Sequence, residues 1–269
     1  MKKVFLQFIV SLATFFVVLF GFSRVDWLSV FRIHNTSVEE KLGEMYWDLF
    51  SKTETFVESD SILAPIDSLI THICRENNIK RDKIKFHVLE SPEVNAFAFP
   101  NNHLVIYTSL ITECKNEMEL CGVISHEMAH MEKGHVMKKL IKEVGLSVLI
   151  GITSNGNGAE VLKETAKLLS STAYDRTLES EADAMAVSYL MKAAIDPQPF
   201  ADFLYRLSEE EEQLPSMTEW ISTHPESKQR SEKIIDLARG SEVEYEPILD
   251  YRTWDSLKNK VASLTEESN

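Results

Sequence analysis

Apolar positions divide the chain into an uncharged N-terminal stretch and a long amphipathic remainder. From Val4 to Phe22 no residue is charged and only Gln7, Ser11 and Thr14 are polar, close to the roughly 20 residues that span a bilayer. Helical spacing then predicts helices over about 38–50, 60–77, 159–172 and a further stretch ending near Lys192. A long helix is predicted from about Asn116 to Ile150, with Leu120, Val123, Ile124, Met128 and Met131 on its apolar positions. Shorter runs at 84–89, 94–99 and 103–108 read as strands. Ser154 to Gly158 marks a loop, and Glu209–Glu212 with Pro215 marks another loop or a frayed helix end. Val144 to Ile152 is apolar too, but it is far short of a span and reads as core. The order of elements implies an α+β fold, mostly helical, with a small sheet on one side of a helical body.

These patterns set the expected organisation: residues 1–24 as a membrane anchor or signal segment, 25–37 as a linker, and 38–269 as one domain with a C-terminal helical extension. Lys2 and Lys3 favour a cytoplasmic amino end, which puts the domain outside the cytoplasmic membrane, although Arg24 and Arg32 weaken that orientation. A cleaved signal would have an apolar core of about 7–15 residues and a small-residue cleavage site. Gly21-Phe22-Ser23 fits that poorly, so a single-pass anchor is expected, with an exported soluble protein as the alternative. A net charge of −14 argues against nucleic-acid binding, and 44% hydrophobic residues exclude a disordered chain. Cys74, Cys114 and Cys121 cannot all pair within the chain, and none has a C-x-x-C spacing. They read as buried free thiols, with a Cys114–Cys121 disulfide as the alternative.

The chemistry concentrates in His126-Glu127-Met128-Ala129-His130. On a helix the two histidines lie one turn apart on one face, within reach of a single zinc ion, with Glu127 beside its water. Zinc lowers the pKa of such a water towards about 7, and a neighbouring carboxylate can take the proton and later pass it to a leaving amine. A third ligand is required. Glu179 and Asp183 share one face of the helix ending near Lys192, with Glu179 as the candidate ligand and Asp183 as the group that accepts the free ring N–H of a ligating histidine. Glu181 points elsewhere, roughly 200° round the helix. On the residues alone, an acidic face of this kind is as readily a solvated surface.

Further segments carry a family resemblance. Val94-Asn95-Ala96-Phe97-Ala98-Phe99-Pro100, Glu119 to Ser125, Tyr174 to Asp183, Ile195-Asp196-Pro197 and Ser222-Thr223-His224-Pro225-Glu226-Ser227-Lys228-Gln229-Arg230 follow one another in order. Together with the pentapeptide they resemble the zinc metallopeptidase family of the HtpX, CAAX prenyl endoprotease and BepA type, over roughly residues 36–240. The resemblance implies a gluzincin: His126, His130 and Glu179 as metal ligands for one zinc ion, Glu127 as the catalytic base, and His224 near the active site. His224 could stabilise the oxyanion, cap the metal in a latent form, or simply sit at a helix entry. Arg230 could orient it or cap an acidic surface. His135, nine residues after His126, lacks the metzincin spacing and reads as structural. Two departures, Pro100-Asn101-Asn102 in place of Pro-Gly-Gly and Asp175 in place of Ser, bear on loop geometry. Asn tolerates a left-handed backbone, so the turn at 101–102 is expected to survive.

The implied function is a zinc metalloendopeptidase in envelope protein quality control or processing, facing the periplasm or outside. The alternative is a chaperone-like envelope assembly factor with a rarely cutting zinc site. Substrate is expected as an added strand on a sheet edge supplied by Asn95–Thr108, including the strand at 103–108, with an ordinary hairpin as the bland reading.

Overall fold

The computed structural model describes residues 36–155, 158–210, 218–239 and 244–267. The segment 1–35, with its anchor or signal reading, lies outside them. Two helices, α1 (Thr36–Thr53) and α2 (Asp60–Glu76), precede β1 (Lys85–Leu89), β2 (Ala96–Phe99) and β3 (His103–Tyr107). Nine helices follow among the described residues: α3 (Thr108–Glu113), α4 (Glu117–Glu132), α5 (His135–Val144), α6 (Leu146–Asn155), α7 (Ala159–Ser171), α8 (Arg176–Lys192), α9 (Gln198–Glu210), α10 (Thr218–Thr223) and α11 (Ser227–Ala238) before the last, α12 (Tyr251–Glu267). The α+β expectation therefore holds, with a three-stranded sheet in a helical body.

The sheet order is β1-β3-β2, parallel between β1 and β3 and antiparallel between β2 and β3. This corrects the expectation of an edge at 103–108. β3 is hydrogen-bonded on both sides, so within the 95–108 region β2 lies at the sheet edge. Every residue of β3 is buried because its alternating side chains enter two cores. Leu104 and Ile106 join the larger one with α2, α4, α8 and α9, while Val105 and Tyr107 face the smaller one built with α1, α5, α6 and α7. Asn101 and Asn102, at φ 68° and 57°, make the tight turn between β2 and β3, as the Asn-for-Gly replacement allows.

The single helix expected from Asn116 to Ile150 is three helices. Gly134 (φ 64°) and Gly145 (φ 90°) take left-handed conformations that an apolar pattern does not reveal, and the chain turns at each. The apolar stretch at 144–152 is core only in part. Leu149 and Ile152 are buried in α6, whereas Val148 and Ile150 are exposed. No helix among the described residues is long and apolar enough to cross a membrane.

Helix α4 runs through the middle of the molecule and is buried on every side over most of its length. Asn116 caps it by accepting the N–H of Glu119 at 3.0 Å. At Gly122 the helix meets Phe200 of α9 so closely that a Cβ would lie 2.3 Å from the Phe200 Cβ. The three cysteines are buried free thiols.

Candidate metal centre

Helix α4 presents His126, Glu127 and His130 to the same buried point that Glu179 reaches from α8 and His224 from the turn between α10 and α11. One ligand atom from each of His126, His130, Glu179 and His224 lies within 4.8 Å of the others. His126 Nε2 is 3.0 Å from His130 Nε2, and Glu179 places its Oε1 3.2 Å from His130 Nε2 and its Oε2 3.6 Å from His126 Nε2. All four side chains are almost wholly excluded from solvent.

Hydrogen bonds behind the cluster aim the imidazoles. His126 Nδ1 lies 3.0 Å from Asp183 Oδ1, so its N–H donates there and Nε2 is turned towards the cluster. His130 Nδ1 lies 3.0 Å from His135 Nδ1, and His135 Nε2 is 3.3 Å from Glu181 Oε2. If His135 donates from Nε2 to the Glu181 carboxylate, its Nδ1 accepts the His130 N–H and bares His130 Nε2 in turn. Lys133 holds Glu181 from the other side at 2.8 Å. Glu181 does point away from the cluster, as the helix geometry implies, yet through His135 it acts on it. That connection was not legible in the sequence, because it depends on the left-handed turn at Gly134 that swings His135 back onto His130.

Arg230 sits between the two carboxylates. Its buried guanidinium donates from Nε to Asp183 Oδ2 and from Nη2 to Asp183 Oδ1, both at 2.8 Å, and its Nη1 lies 2.7 Å from Glu179 Oε2. Tyr174 stacks on His130 with ring centroids 4.0 Å apart, and the Lys139 ammonium lies 4.4 Å above the Tyr174 ring. Lys139 also donates to the carbonyls of Leu169 and Thr172, capping the end of α7. His224 stacks against the buried Trp220 at 4.3 Å and sets its Nε2 3.3 Å from Glu127 Oε1 and its Nδ1 3.2 Å from Glu179 Oε2.

The electrostatics follow from burial and these partners. Burial pushes the Glu127 carboxyl up to about 7, against the opposing influence of His126. Burial alone would raise Glu179 too, but Arg230, then His224 and His126, hold it well below the carboxylate range. Asp183 is likewise depressed, with burial outweighed by Arg230 and His126. For His126, burial and Arg230 both disfavour the cation, yet Glu179 and Asp183 prevail and hold its pKa up at about 9. Burial lowers His224 to about 4 and His130 well below its ordinary value.

A zinc ion fits this donor set. Tetrahedral bonds of about 2.0–2.1 Å put neighbouring ligand atoms roughly 3.3 Å apart, and the distances among His126, His130 and Glu179 lie on either side of that value. Glu179 and Asp183 bring two carboxylates to the cluster, where Arg230 and the imidazoles meet them. Beside the cluster, Glu127 Oε1 accepts no hydrogen bond, although His224 Nε2 lies 3.3 Å away, while its Oε2 accepts the Ala98 N–H of β2 at 3.0 Å. An acceptor oxygen there, with no hydrogen bond of its own, is placed to hold a water for activation.

The chain belongs to peptidase family M48, whose model matches residues 63–238, more than half of its length. It is 26% identical over 201 residues to the metalloendopeptidase OMA1, mitochondrial, of Bos taurus, covering 68% of this chain and 38% of that one. It is 27% identical over 183 residues to the mitochondrial metalloendopeptidase OMA1 of Schizosaccharomyces pombe, covering 66% and 53%. To the beta-barrel assembly-enhancing protease of Escherichia coli strain K12 it is 24% identical over 202 residues, covering 70% and 41%. The chain thus spans about half or less of the length of these relatives.

Proposed function

We propose that this chain is a zinc-dependent metalloendopeptidase that hydrolyses peptide bonds in protein substrates. In this reading His126, His130 and Glu179 hold the metal, Glu127 is the base, and Asp183 orients His126. The juxtaposition of Glu127 with the two histidines and Glu179 carries it. Bound zinc supplies a Lewis acid that polarises the scissile carbonyl and acidifies water. Glu127, with its carboxyl lifted towards neutrality and one oxygen accepting no hydrogen bond, takes the water proton on Oε1 and returns it to the leaving nitrogen. The Ala98 N–H keeps the other oxygen in place. His224, with Nε2 beside Glu127, is suited to donate to the developing oxyanion. The alternative role, capping the metal in a latent form, draws support from its contact with Glu179.

The outer edge of β2 faces the site, because the Ala98 N–H points to Glu127 and not to β3. An extended substrate strand added there would lie against the base. All four residues of β2 are buried, and α7 packs against it with Asn95 Nδ2 donating to Ser170 O at 3.4 Å.

The domain is taken as residues 38–269, tethered by the linker 25–37 to a single-pass anchor at 1–24, with the site outside the cytoplasmic membrane. The relatives named for mitochondria and for beta-barrel assembly support a role in membrane-associated protein quality control. The test is to measure zinc by mass spectrometry and casein cleavage in the full chain and in Glu127→Gln. One zinc per chain in both, with cleavage reduced on the order of 10²–10⁴-fold in the variant, is expected. Zinc without cleavage in the unsubstituted chain would favour the assembly-factor reading, and absence of zinc would overturn both.

A further inference from the structure

We propose that Lys139 is a positioning residue for the metal centre: its ammonium clamps Tyr174 flat against His130, and so sets the plane of a ring placed to hold the metal. This role rests on the reading of His130 as a ligand. A lysine at a protein surface lays its stem over apolar neighbours and leads its ammonium out to water. Lys139, on α5, does the reverse. It is 4% exposed, and no carboxylate pairs with it among the described residues. Its ammonium donates to the carbonyls of Leu169 and Thr172 and lies 4.4 Å from the centre of the Tyr174 ring. Burial lowers its pKa to about 8, while Glu127 and Glu179 favour the cation, so it is mostly charged at neutral pH. A cation shielded from water in this way is drawn strongly to an aromatic face.

The clamp acts where three parts of the site meet. Tyr174 is buried, its ring lies 22° from the plane of His130 with centroids 4.0 Å apart, and its N–H donates to Thr223 O at 3.3 Å, next to His224. The rings of Tyr174 and His224 are also stacked, with centroids 6.0 Å apart. At the other end of the segment, Ser170 O accepts from Asn95, the residue before β2. The contact of His130 Nδ1 with His135 fixes one direction of the imidazole but leaves rotation about that direction open. A flat neighbour closes it, and a ligating group has to be held within about 10–20° of its working geometry. A cap for α7 alone would require neither a buried charge nor the Tyr174 face, because carbonyls at a helix end are readily met by water or a surface side chain.

The test measures zinc affinity by competition with a chromogenic chelator, and kcat and KM for casein, in the full chain. The variants are Lys139→Met, Lys139→Arg, Tyr174→Leu, and Lys139→Met combined with Tyr174→Leu. Lys139→Met keeps the apolar stem and should lower zinc affinity and kcat about 10-fold each, with KM changed by less than about twofold. Charge alone acts the other way, since removing a cation near Glu179 tightens a divalent metal. Lys139→Arg, able to bond both carbonyls and stack on the ring, should come back to within about threefold of the unsubstituted chain. The double variant should be no worse than Tyr174→Leu, because the two residues act through one contact. Unchanged or tighter zinc binding in Lys139→Met, or losses that multiply in the double variant, would reduce Lys139 to a helix cap and overturn the clamp. Should Lys139→Met fail to fold, Tyr174→Leu decides: a loss of about 10-fold in zinc affinity supports the clamp, and no loss overturns it. Absence of zinc from the unsubstituted chain overturns the metal reading and the clamp with it.

Discussion

Replacing Arg230 by Met should expose how the site is held together before any metal arrives. The guanidinium is 4% exposed and makes three contacts of 2.7–2.8 Å with two carboxylates that are themselves 2–3% exposed. Removing one partner of a buried pair costs about 3–5 kcal/mol, because the remaining charge is left without compensation. Here Glu179 and Asp183 would both be left, so the upper part of that range is expected for the zinc-free protein. Its unfolding equilibrium should shift by roughly 10³-fold or more. Bound zinc brings positive charge to the same carboxylates and should reduce the loss. The measurement is urea unfolding of the chelator-treated chain, for Arg230→Met, Asp183→Asn and the double variant. Asp183→Asn should recover part of the loss in the double variant, giving a coupling of at least about 1.5 kcal/mol. A loss below about 1 kcal/mol, or strictly additive effects, would show that Arg230 is solvated and not a partner of both acids.

Breaking the relay behind His130 by His135→Phe or Glu181→Gln should weaken zinc binding about 10–100-fold while leaving the fold intact; competition against a chromogenic chelator reads this, and unchanged affinity in both variants would dismiss the relay. Gly122→Ala should destabilise by about 1–3 kcal/mol through its clash with Phe200, and a smaller residue at 200 should relieve it in denaturant titrations; no loss would mean that α4 and α9 separate freely. His87 and His103 share a 2.9 Å contact in a stack with Trp47 and Phe99, and burial lowers them to about 4 and about 3. Their neutral forms are favoured by the fold, so the stability they confer is fully present above about pH 6.5 and declines as pH falls from there towards 4. His87→Phe should remove part of that decline, on the order of 2 kcal/mol once screening at the part-exposed ring is allowed for; identical pH dependence of urea midpoints in the two proteins would refute it.

The helices with one buried face were legible from spacing alone: α2 and α7 begin and end within a residue of expectation, and α8 ends at Lys192. What failed were places where local backbone overrides pattern. Glycine is tolerated within a helical pattern, so Gly134 and Gly145 gave no sign that α4 had ended. The position of β3 was hidden for a different reason. The last of three strands in sequence reads as an outer one, whereas its parallel pairing with β1 places it in the middle, and no feature of residues 103–107 encodes that choice. β3 nevertheless reads as a near-continuous apolar run, Leu104 to Tyr107, which is what a strand covered on both faces requires.

In the site, residues recruited by a short-range pattern were visible and those recruited by charge compensation were not. His126, Glu127 and His130 are linked by helical spacing, and Glu179 and Asp183 by the same geometry. Arg230 is separated from them by 47 to 104 positions and becomes necessary only once the carboxylates are buried. An acidic helix face reads as solvent-facing, and the present face is buried only because a guanidinium and imidazoles meet it. The same field settles what competes for the centre. Glu179 and Asp183 favour a positive charge on His126 strongly enough to hold its pKa at about 9, so in the absence of metal a proton occupies the ring. With Asp183 retaining the N–H at Nδ1, that proton sits on Nε2, the atom aimed at the cluster. Metal and proton therefore compete for one nitrogen, and the buried carboxylates that make the site attractive to zinc also favour its proton.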